Sequence, residues 1–149
     1  MDKFYISVLN RSSISDLVEA EKICFPLDAW TAQMFESEFK NEISVMFGIY
    51  YCENNEFAGY TDILCTGAEA YLSNIAIMPP YRRQGAAKLL IEYCLNFIKS
   101  KSAEYFVLDV RTTNYAAINL YSNLGFSVVS RRKHYYDDGE DAFTMIKQL

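Results

Sequence analysis

The chain has 149 residues, a formal net charge of −5 and 51% hydrophobic residues, with 12 Tyr and 10 Phe. That length sustains one well-buried core and is short for two, so a single domain spanning residues 1–149 is expected. The acidic balance, with no lysine-rich face, argues against nucleic acid as the primary partner, because such binding needs clustered cations; it favours cationic ligands such as the ammonium end of a peptide.

Lys3 to Leu9 alternates like a strand, with no signal peptide before it. A helix is expected over Ser13 to Lys22, with Leu17, Ala20 and Glu21 setting its spacing and Ser12 or Ser13 as cap. Cys24 to Asp28 must be a loop, since Pro26 forces its predecessor out of helical geometry. Thr31 can cap a second helix carrying Met34, Phe35 and Phe39 on one side. Strands over Ser44 to Cys52 and Phe57 to Cys65 flank Asn54-Asn55, which suits a hairpin turn, and Glu69 to Met78 is the next strand.

Ala86, Leu89, Leu90, Tyr93, Cys94, Phe97 and Ile98 follow helical spacing and predict a central helix with an apolar stripe. Tyr105 to Val110 is a short strand, apolar on both faces except for Asp109. Asn114 caps a helix whose Ala117, Leu120, Tyr121 and Leu124 share a face, and Gly125 closes it. Strands over Val128 to His134 and Ala142 to Lys147 are joined through Asp137-Asp138-Gly139. This order predicts an α/β fold: a mixed sheet of about seven strands flanked by about four helices. No apolar run is long enough for a membrane span. Cys24, Cys52, Cys65 and Cys94 lie in apolar contexts without C-x-x-C spacing, which predicts buried thiols of a reducing cytoplasm and no metal site. The Asn10-Arg11-Ser12 sequon is read as chance.

The segment from Asn74 to Lys88 carries the strongest chemical signal. An apolar strand ends at Pro79-Pro80, and a short basic loop then enters a helix that opens on Gly85, Ala86 and Ala87. The first turn of a helix has unpaired N–H groups and the positive end of the macrodipole. With only small residues there, nothing stops a phosphate from lying against those donors. Arg82, Arg83 and Lys88 add charge, and Gln84 completes the loop. On the residues alone, an ordinary strand–loop–helix joint with solvated arginines is an equal reading.

Arg82-x-x-Gly85-x-Ala87 resembles the acyl-CoA-binding signature of the GNAT acetyltransferase superfamily, (Arg/Gln)-x-x-Gly-x-(Gly/Ala), and Leu72-Ser73-Asn74-Ile75-Ala76-Ile77 is similar to that family's fourth strand. Neither GxGxxG nor GxxxxGK(S/T) occurs in the chain. The element order resembles the family's over nearly the whole length. The resemblance implies acetyl-CoA as co-substrate, with its diphosphate on residues 82–88 and its pantetheine arm on the backbone of Ile75, Ala76 and Ile77.

Asp109, among Phe106, Val107, Leu108 and Val110, sits where burial would raise a carboxyl pKa. A structural acid paired with Arg111 is an equal reading of the residues. Leu108-Asp109-Val110-Arg111-x-x-Asn114 is similar to the Leu-Glu-Val-Arg-x-x-Asn of the ribosomal-protein-alanine N-acetyltransferases, the RimI type, where the acid is the general base. Asp is one methylene shorter than Glu, which favours a bridging water. An α-amine near pKa ~7.8 is far more often neutral at pH 7 than a lysine near ~10.4, a difference worth about 3.5 kcal/mol. A weakly placed carboxylate therefore suits an N-terminal amine.

Leu120-Tyr121-Ser122-Asn123-Leu124-Gly125-Phe126 looks like the family's LY-x-x-LGF segment, which makes Tyr121 the acid that protonates the departing thiolate; on the helix alone it is a core aromatic. Asn114, a helix cap on its own, gains contact with the pantetheine arm from the resemblance. Tyr135 and Tyr136 resemble the paired tyrosines that hold the first substrate residues, although adjacent strand residues face opposite ways. Tyr71 stands where some peptide acetyltransferases place a catalytic tyrosine. Phe25, Pro26 and Trp30 look like the loop beside the substrate mouth, or equally a hydrophobic staple for the second helix. His134, beside Arg131, Arg132 and Lys133, reads as part of a solvated hairpin. Together these imply an acetyltransferase acting on a protein N-terminus, with the alanine of a ribosomal protein as the implied partner. A small-molecule or lysine acetyltransferase, and a silent acyl-CoA-binding module, are the alternatives.

Overall fold

The computed structural model describes residues 2–149. Its elements in chain order are β1 (Phe4–Val8), α1 (Ile14–Cys24), α2 (Ala32–Lys40), β2 (Ser44–Tyr51), β3 (Phe57–Cys65), β4 (Glu69–Ile77), α3 (Ala86–Ser100), β5 (Tyr105–Arg111), α4 (Tyr115–Asn123), β6 (Ser127–Arg132) and β7 (Ala142–Gln148). The seven strands form one mixed sheet in the order β1-β2-β3-β4-β5-β7-β6. The β4–β5 ladder is parallel and runs from Glu69↔Tyr105 to Leu72↔Leu108, while β7 pairs antiparallel with both β5 and β6. Among the described residues no helix is long and apolar enough to cross a membrane. Contacts group the chain into two compact units: one holds the residues up to Leu64 with Ser73–Cys94, the other Cys65–Leu72 with Leu95–Leu149.

In the first unit, Leu9, Leu17, Phe35, Met46, Tyr60 and Ala76 form a buried cluster. The spacing of α1 turns Leu17, Ala20 and Glu21 inward as expected. Neither serine caps that helix. The Asn10 side chain accepts from the Ser12 N–H at 2.9 Å and caps a short 3-10 turn over Arg11–Ser13. Ser13 is therefore already helical, at φ −87° and ψ −4°, and lacks the extended geometry of a capping residue. Thr31 does cap α2, accepting from the Met34 N–H at 3.2 Å. The Trp30 ring lies 5.3 Å from Phe35, the spacing of a hydrophobic staple. Cys52 is exposed, contrary to the expected burial, because β2 ends at Tyr51 and Cys52 falls in the turn. Cys94 is buried, and Cys24 and Cys65 are half-buried.

The buried arc of α3 comprises Ala86, Leu90, Ile91, Cys94, Leu95 and Ile98. Leu89 and Tyr93, expected inside, are exposed. The helix is apolar on both sides of the Leu90–Cys94 line, and packing selects the Ile91–Leu95 side, so hydropathy alone could not orient it.

In the second unit, Phe106, Val107, Leu108 and Val110 of β5 are buried, while Asp109 and Arg111 are half-buried. Asn114 caps α4, its side chain accepting from the Ala117 N–H at 3.2 Å. At the other end the Phe126 N–H reaches the Tyr121 carbonyl at 3.0 Å, and the Gly125 N–H reaches that of Ser122 at 3.1 Å. These bonds are a Schellman closure, which places Gly125 at φ +96°. β6 stops at Arg132, two residues short of the expected end, because His134 turns the chain with φ +52°.

Candidate active site

Within the second unit, register brings four polar side chains together. Asp109 pairs directly with Thr144 across the β5–β7 ladder, and Tyr71 is the β4 partner of Val107, two residues before Asp109 and on the same face. The Tyr71 hydroxyl donates to Asp109 Oδ2 at 2.6 Å, and the Thr144 hydroxyl donates to Asp109 Oδ1 at 2.6 Å. Arg132 Nε lies 3.6 Å from Oδ1 and 3.3 Å from the Thr144 hydroxyl. The Asp109 side chain is only 5% exposed. Its oxygens are thus fixed by two short hydroxyl bonds, with lone pairs left over for a third donor. The Tyr71 phenol is pushed well above its ordinary value, first by burial and then by its bond to Asp109, so it remains a donor.

Arg111 does not pair with Asp109, as one reading of the sequence had it. As alternate residues the two share a face of β5, but Arg111 turns to the β6–β7 loop, donating to Asp138 at 2.8 Å and Glu140 at 2.7 Å. Its guanidinium also stands 4.0 Å from the centre of the Tyr136 ring. Tyr135 and Tyr136 lie beyond β6, outside regular strand, so the alternation rule does not separate them: their rings meet edge to face at 5.0 Å. Arg132 stands over Tyr135 at 5.3 Å. Burial pushes the Tyr136 phenol up to about 12, against the lowering effect of Arg111. Tyr121 is buried, packs on Phe126 at 5.8 Å, and is also raised to about 12 by burial and by Tyr136.

The first unit holds the loop that enters α3. Arg83 and Gly85 have positive φ, +60° and +83°, while Gln84 between them does not. Such alternation turns successive N–H groups toward one concavity, the form of an anion nest. The Gly85 carbonyl accepts the first helical bond, from Leu89 at 3.0 Å. A Cβ at Gly85 would meet no atom within 4 Å, so the mouth of the turn is open to a ligand. Arg82 is already engaged: its Nε donates to the Ile77 carbonyl at 2.8 Å and a terminal nitrogen donates to Cys24 Sγ at 3.5 Å. Gln84 donates to the Pro80 carbonyl at 3.2 Å, and Lys88 stands 3.9 Å from Glu92. Ala86 is buried and Ala87 half-buried, leaving no bulky side chain at the turn.

Residues Ile75–Ile77 are the last three of β4. The Ile75 N–H donates to the Asn74 side-chain oxygen at 2.9 Å. Asn74 belongs to a buried network that sequence reasoning did not find. Glu21, 1% exposed, accepts from the Trp30 N–H at 3.1 Å, the Tyr60 hydroxyl at 2.8 Å and Asn74 Nδ2 at 3.3 Å. Phe25 and Trp30 pack against the core cluster, and Pro26 is exposed.

Thr144, Arg132, Glu21 and Tyr60 are the participants that the sequence reading missed. A lone Thr in apolar β7 and a Tyr-Thr-Asp run inside apolar β3 were the available signals. The arginine offered none apart from its charge.

Residues 14–126 match the family described as Acetyltransferase (GNAT) family. The chain is 32% identical over 131 residues to the [ribosomal protein bS18]-alanine N-acetyltransferase of Escherichia coli strain K12, covering 86% of this chain and 84% of the relative. It is 42% identical over 82 residues to an N-alpha-acetyltransferase of Saccharolobus solfataricus, a match covering 54% of this chain and 49% of that one. The crystal structure of the ribosomal-protein-S18-alanine N-acetyltransferase from Escherichia coli superposes with a TM-score of 0.89 at 30% identity, covering 98% of this chain and 94% of that chain.

Proposed function

Because the chain belongs to the GNAT acetyltransferase family and is an N-acetyltransferase, we propose that residues 1–149 act as one domain in the cytoplasm. Its reaction would be transfer of the acetyl group of acetyl-CoA to the N-terminal α-amine of a protein, with an alanine terminus of a ribosomal protein as the favoured acceptor. Support for the acceptor comes from the two relatives, named for alanine and α-amine acetylation. The observation that carries the mechanism is the clamped carboxylate of Asp109.

The backbone at residues 82–88 is the seat for the diphosphate: the nest around Gln84 and the open Gly85 turn present N–H groups at the positive end of α3. Arg83 and Lys88 add charge there. The backbone of Ile75, Ala76 and Ile77 aligns the pantetheine arm and polarises the thioester carbonyl, and Asn114 adds a contact to that arm. Asp109 takes the proton of the attacking amine through a water, since its short side chain is held on the sheet by Tyr71 and Thr144. Tyr71 keeps that carboxylate aligned through its hydroxyl bond to Oδ2. Tyr121 returns a proton to sulfur; held near 12, it gives up that proton only to a thiolate brought into contact. Tyr135 and Tyr136, with the loop bearing Phe25, Pro26 and Trp30, receive the first residues of the acceptor. A free α-amine needs little help to lose its proton near neutral pH, so one water-mediated carboxylate suffices.

The test is release of CoA thiol from acetyl-CoA in the presence of two peptides, one with a free N-terminal alanine and one N-blocked peptide containing lysine. Turnover should follow the free α-amine, and Asp109→Asn and Tyr121→Phe should each lower kcat. Turnover on the blocked lysine peptide alone would refute the acceptor assignment. Full activity in Asp109→Asn would refute the base.

A further inference from the structure

The Ile75 N–H is not free in this structure, because the Asn74 carboxamide oxygen occupies it at 2.9 Å. The orientation of that carboxamide follows from its partners at both ends. Asn74 Nδ2 donates to the Tyr60 hydroxyl at 2.6 Å and to Glu21 Oε2 at 3.3 Å, and Tyr60 in turn donates to Glu21 at 2.8 Å. The Ile75 amide can only donate, so the oxygen of Asn74 must face it and the amino end must face Tyr60 and Glu21. Glu21 is buried and also takes the Trp30 N–H, so the network is anchored in α1, β3 and the α1–α2 loop. The Asn74 oxygen is therefore presented rigidly to one backbone donor of β4.

We propose that Asn74 is a placeholder for the thioester carbonyl. Its side-chain oxygen satisfies the Ile75 N–H when no acyl group is bound and yields that donor when acetyl-CoA arrives. This rests on the reading above that Ile75–Ile77 polarise the thioester. An amide N–H shielded from solvent is costly to leave unpaired, and a side-chain oxygen one residue away removes that penalty in the empty and product states. CoA itself has no acyl carbonyl and leaves the Asn74–Ile75 bond intact. Acetyl-CoA must displace it. Asn74 thus compresses the difference in affinity between substrate and product, and it sets the acyl-bearing form apart by one hydrogen-bond exchange. Asn74 acts through the Ile75 amide and is a positioning residue.

The experiment is calorimetric titration of CoA, and of acetyl-CoA without an acceptor amine, into the unaltered protein and into Asn74→Ala. With the placeholder gone, the affinity for acetyl-CoA relative to CoA should rise between about twofold and tenfold, the range of one net hydrogen bond. A second readout uses the unaltered protein: in isotope-labelled samples the Asn74 carboxamide resonances should move with acetyl-CoA and stay in place with CoA. A ratio that is unchanged or lower in Asn74→Ala, or carboxamide shifts equal for both compounds, would overturn the Asn74 assignment while leaving the acetyltransferase reading intact. Absence of binding of either compound to the unaltered protein would overturn that reading and this inference together.

Discussion

Replacing Thr144 by Val removes one hydroxyl and keeps the branched shape, deleting its 2.6 Å bond to Asp109 together with the longer one it accepts from Arg132 Nε at 3.3 Å. Oδ1 of Asp109 then has no hydroxyl donor; its nearest cation, Arg132 Nε, is 3.6 Å away, beyond hydrogen-bond reach. With the side chain 5% exposed, water can replace the missing donor only in part. A hydrogen bond to a charged group is worth about 1.5–3 kcal/mol, so Tm should fall by roughly 3–12 °C at about 2–4 °C per kcal/mol for a chain of this size. The carboxylate would keep only the Tyr71 bond and could swing about it, and loss of alignment at a base lowers kcat by up to roughly a hundredfold. The KM for acetyl-CoA should stay unchanged. Thr144→Ser should restore most of the activity. The decisive measurement is the pair of substitutions Thr144→Val and Asp109→Asn in a double-mutant cycle, read by steady-state kcat. If Thr144 works through Asp109, Thr144→Val should have little further effect once Asp109 is Asn. Equal effects in both backgrounds would refute the clamp.

Three further outcomes are expected. Gly125→Ala places a Cβ 2.5 Å from Lys147 Nζ, which can swing away, but φ +96° leaves strain of about 1–2 kcal/mol, so thermal melting should drop by several degrees; an unchanged Tm would contradict the Schellman closure. Gly85→Ala meets no protein atom and should fold with a small loss at φ +83°, yet CoA titrations should show weaker binding, because the new methyl enters the mouth of the nest; wild-type affinity would argue against the cradle. Asp62, 1% exposed, is pushed up to about 7, mainly by burial, with the Glu38 carboxylate of α2 adding to the rise and the Ser44 hydroxyl opposing it; the Tyr60 phenol also lies near. A carboxyl raised in the folded state holds its proton better there than in the unfolded chain. Its contribution is therefore full below the unfolded value near 4 and is lost as pH rises through about 7. Melting curves from pH 5 to 8 should fall more steeply for the unaltered protein than for Asp62→Asn, and parallel curves would show that Asp62 is not the titrating group.

Local rules carried the sequence a long way. The Thr31 and Asn114 caps, the Gly125 closure and the α1 face all follow from chemistry within a few residues, and each recurs in the structure. Where local rules were nearly balanced they failed. Two apolar arcs compete on α3, and two serines and an asparagine compete at the start of α1; tertiary packing and an extra turn decided those cases. The basic loop and Gly85 stood out because the proposed phosphate seat would need small residues in sequence order. Asp109 was legible because a single acid interrupts an apolar strand.

The partners of those residues were hidden for a different reason. Tyr71, Asp109, Thr144 and Arg132 come from four separate segments, and only the β4–β5, β5–β7 and β6–β7 registers make them neighbours. Glu21, Tyr60 and Asn74 are likewise joined across 53 residues of chain. In sequence nothing links Glu21 or Asp109 to the particular residues that become their partners. What forces them together is the penalty on an unpaired polar group in the interior: once Glu21 is carried inward by the α1 spacing, the surrounding strands must supply donors. That requirement turns an apparent mismatch, an acid on an apolar face, into an address for its partners. A polar residue inside an apolar pattern therefore predicts at least one other, and the three donors on Glu21 meet that demand from the α1–α2 loop, β3 and β4. The Asn74 end of the strand whose amides are proposed to hold the thioester is thereby fixed by hydrogen bonds to Glu21 and Tyr60, which is why the proposed exchange of an oxygen for a ligand's falls to Asn74 and to no apolar neighbour.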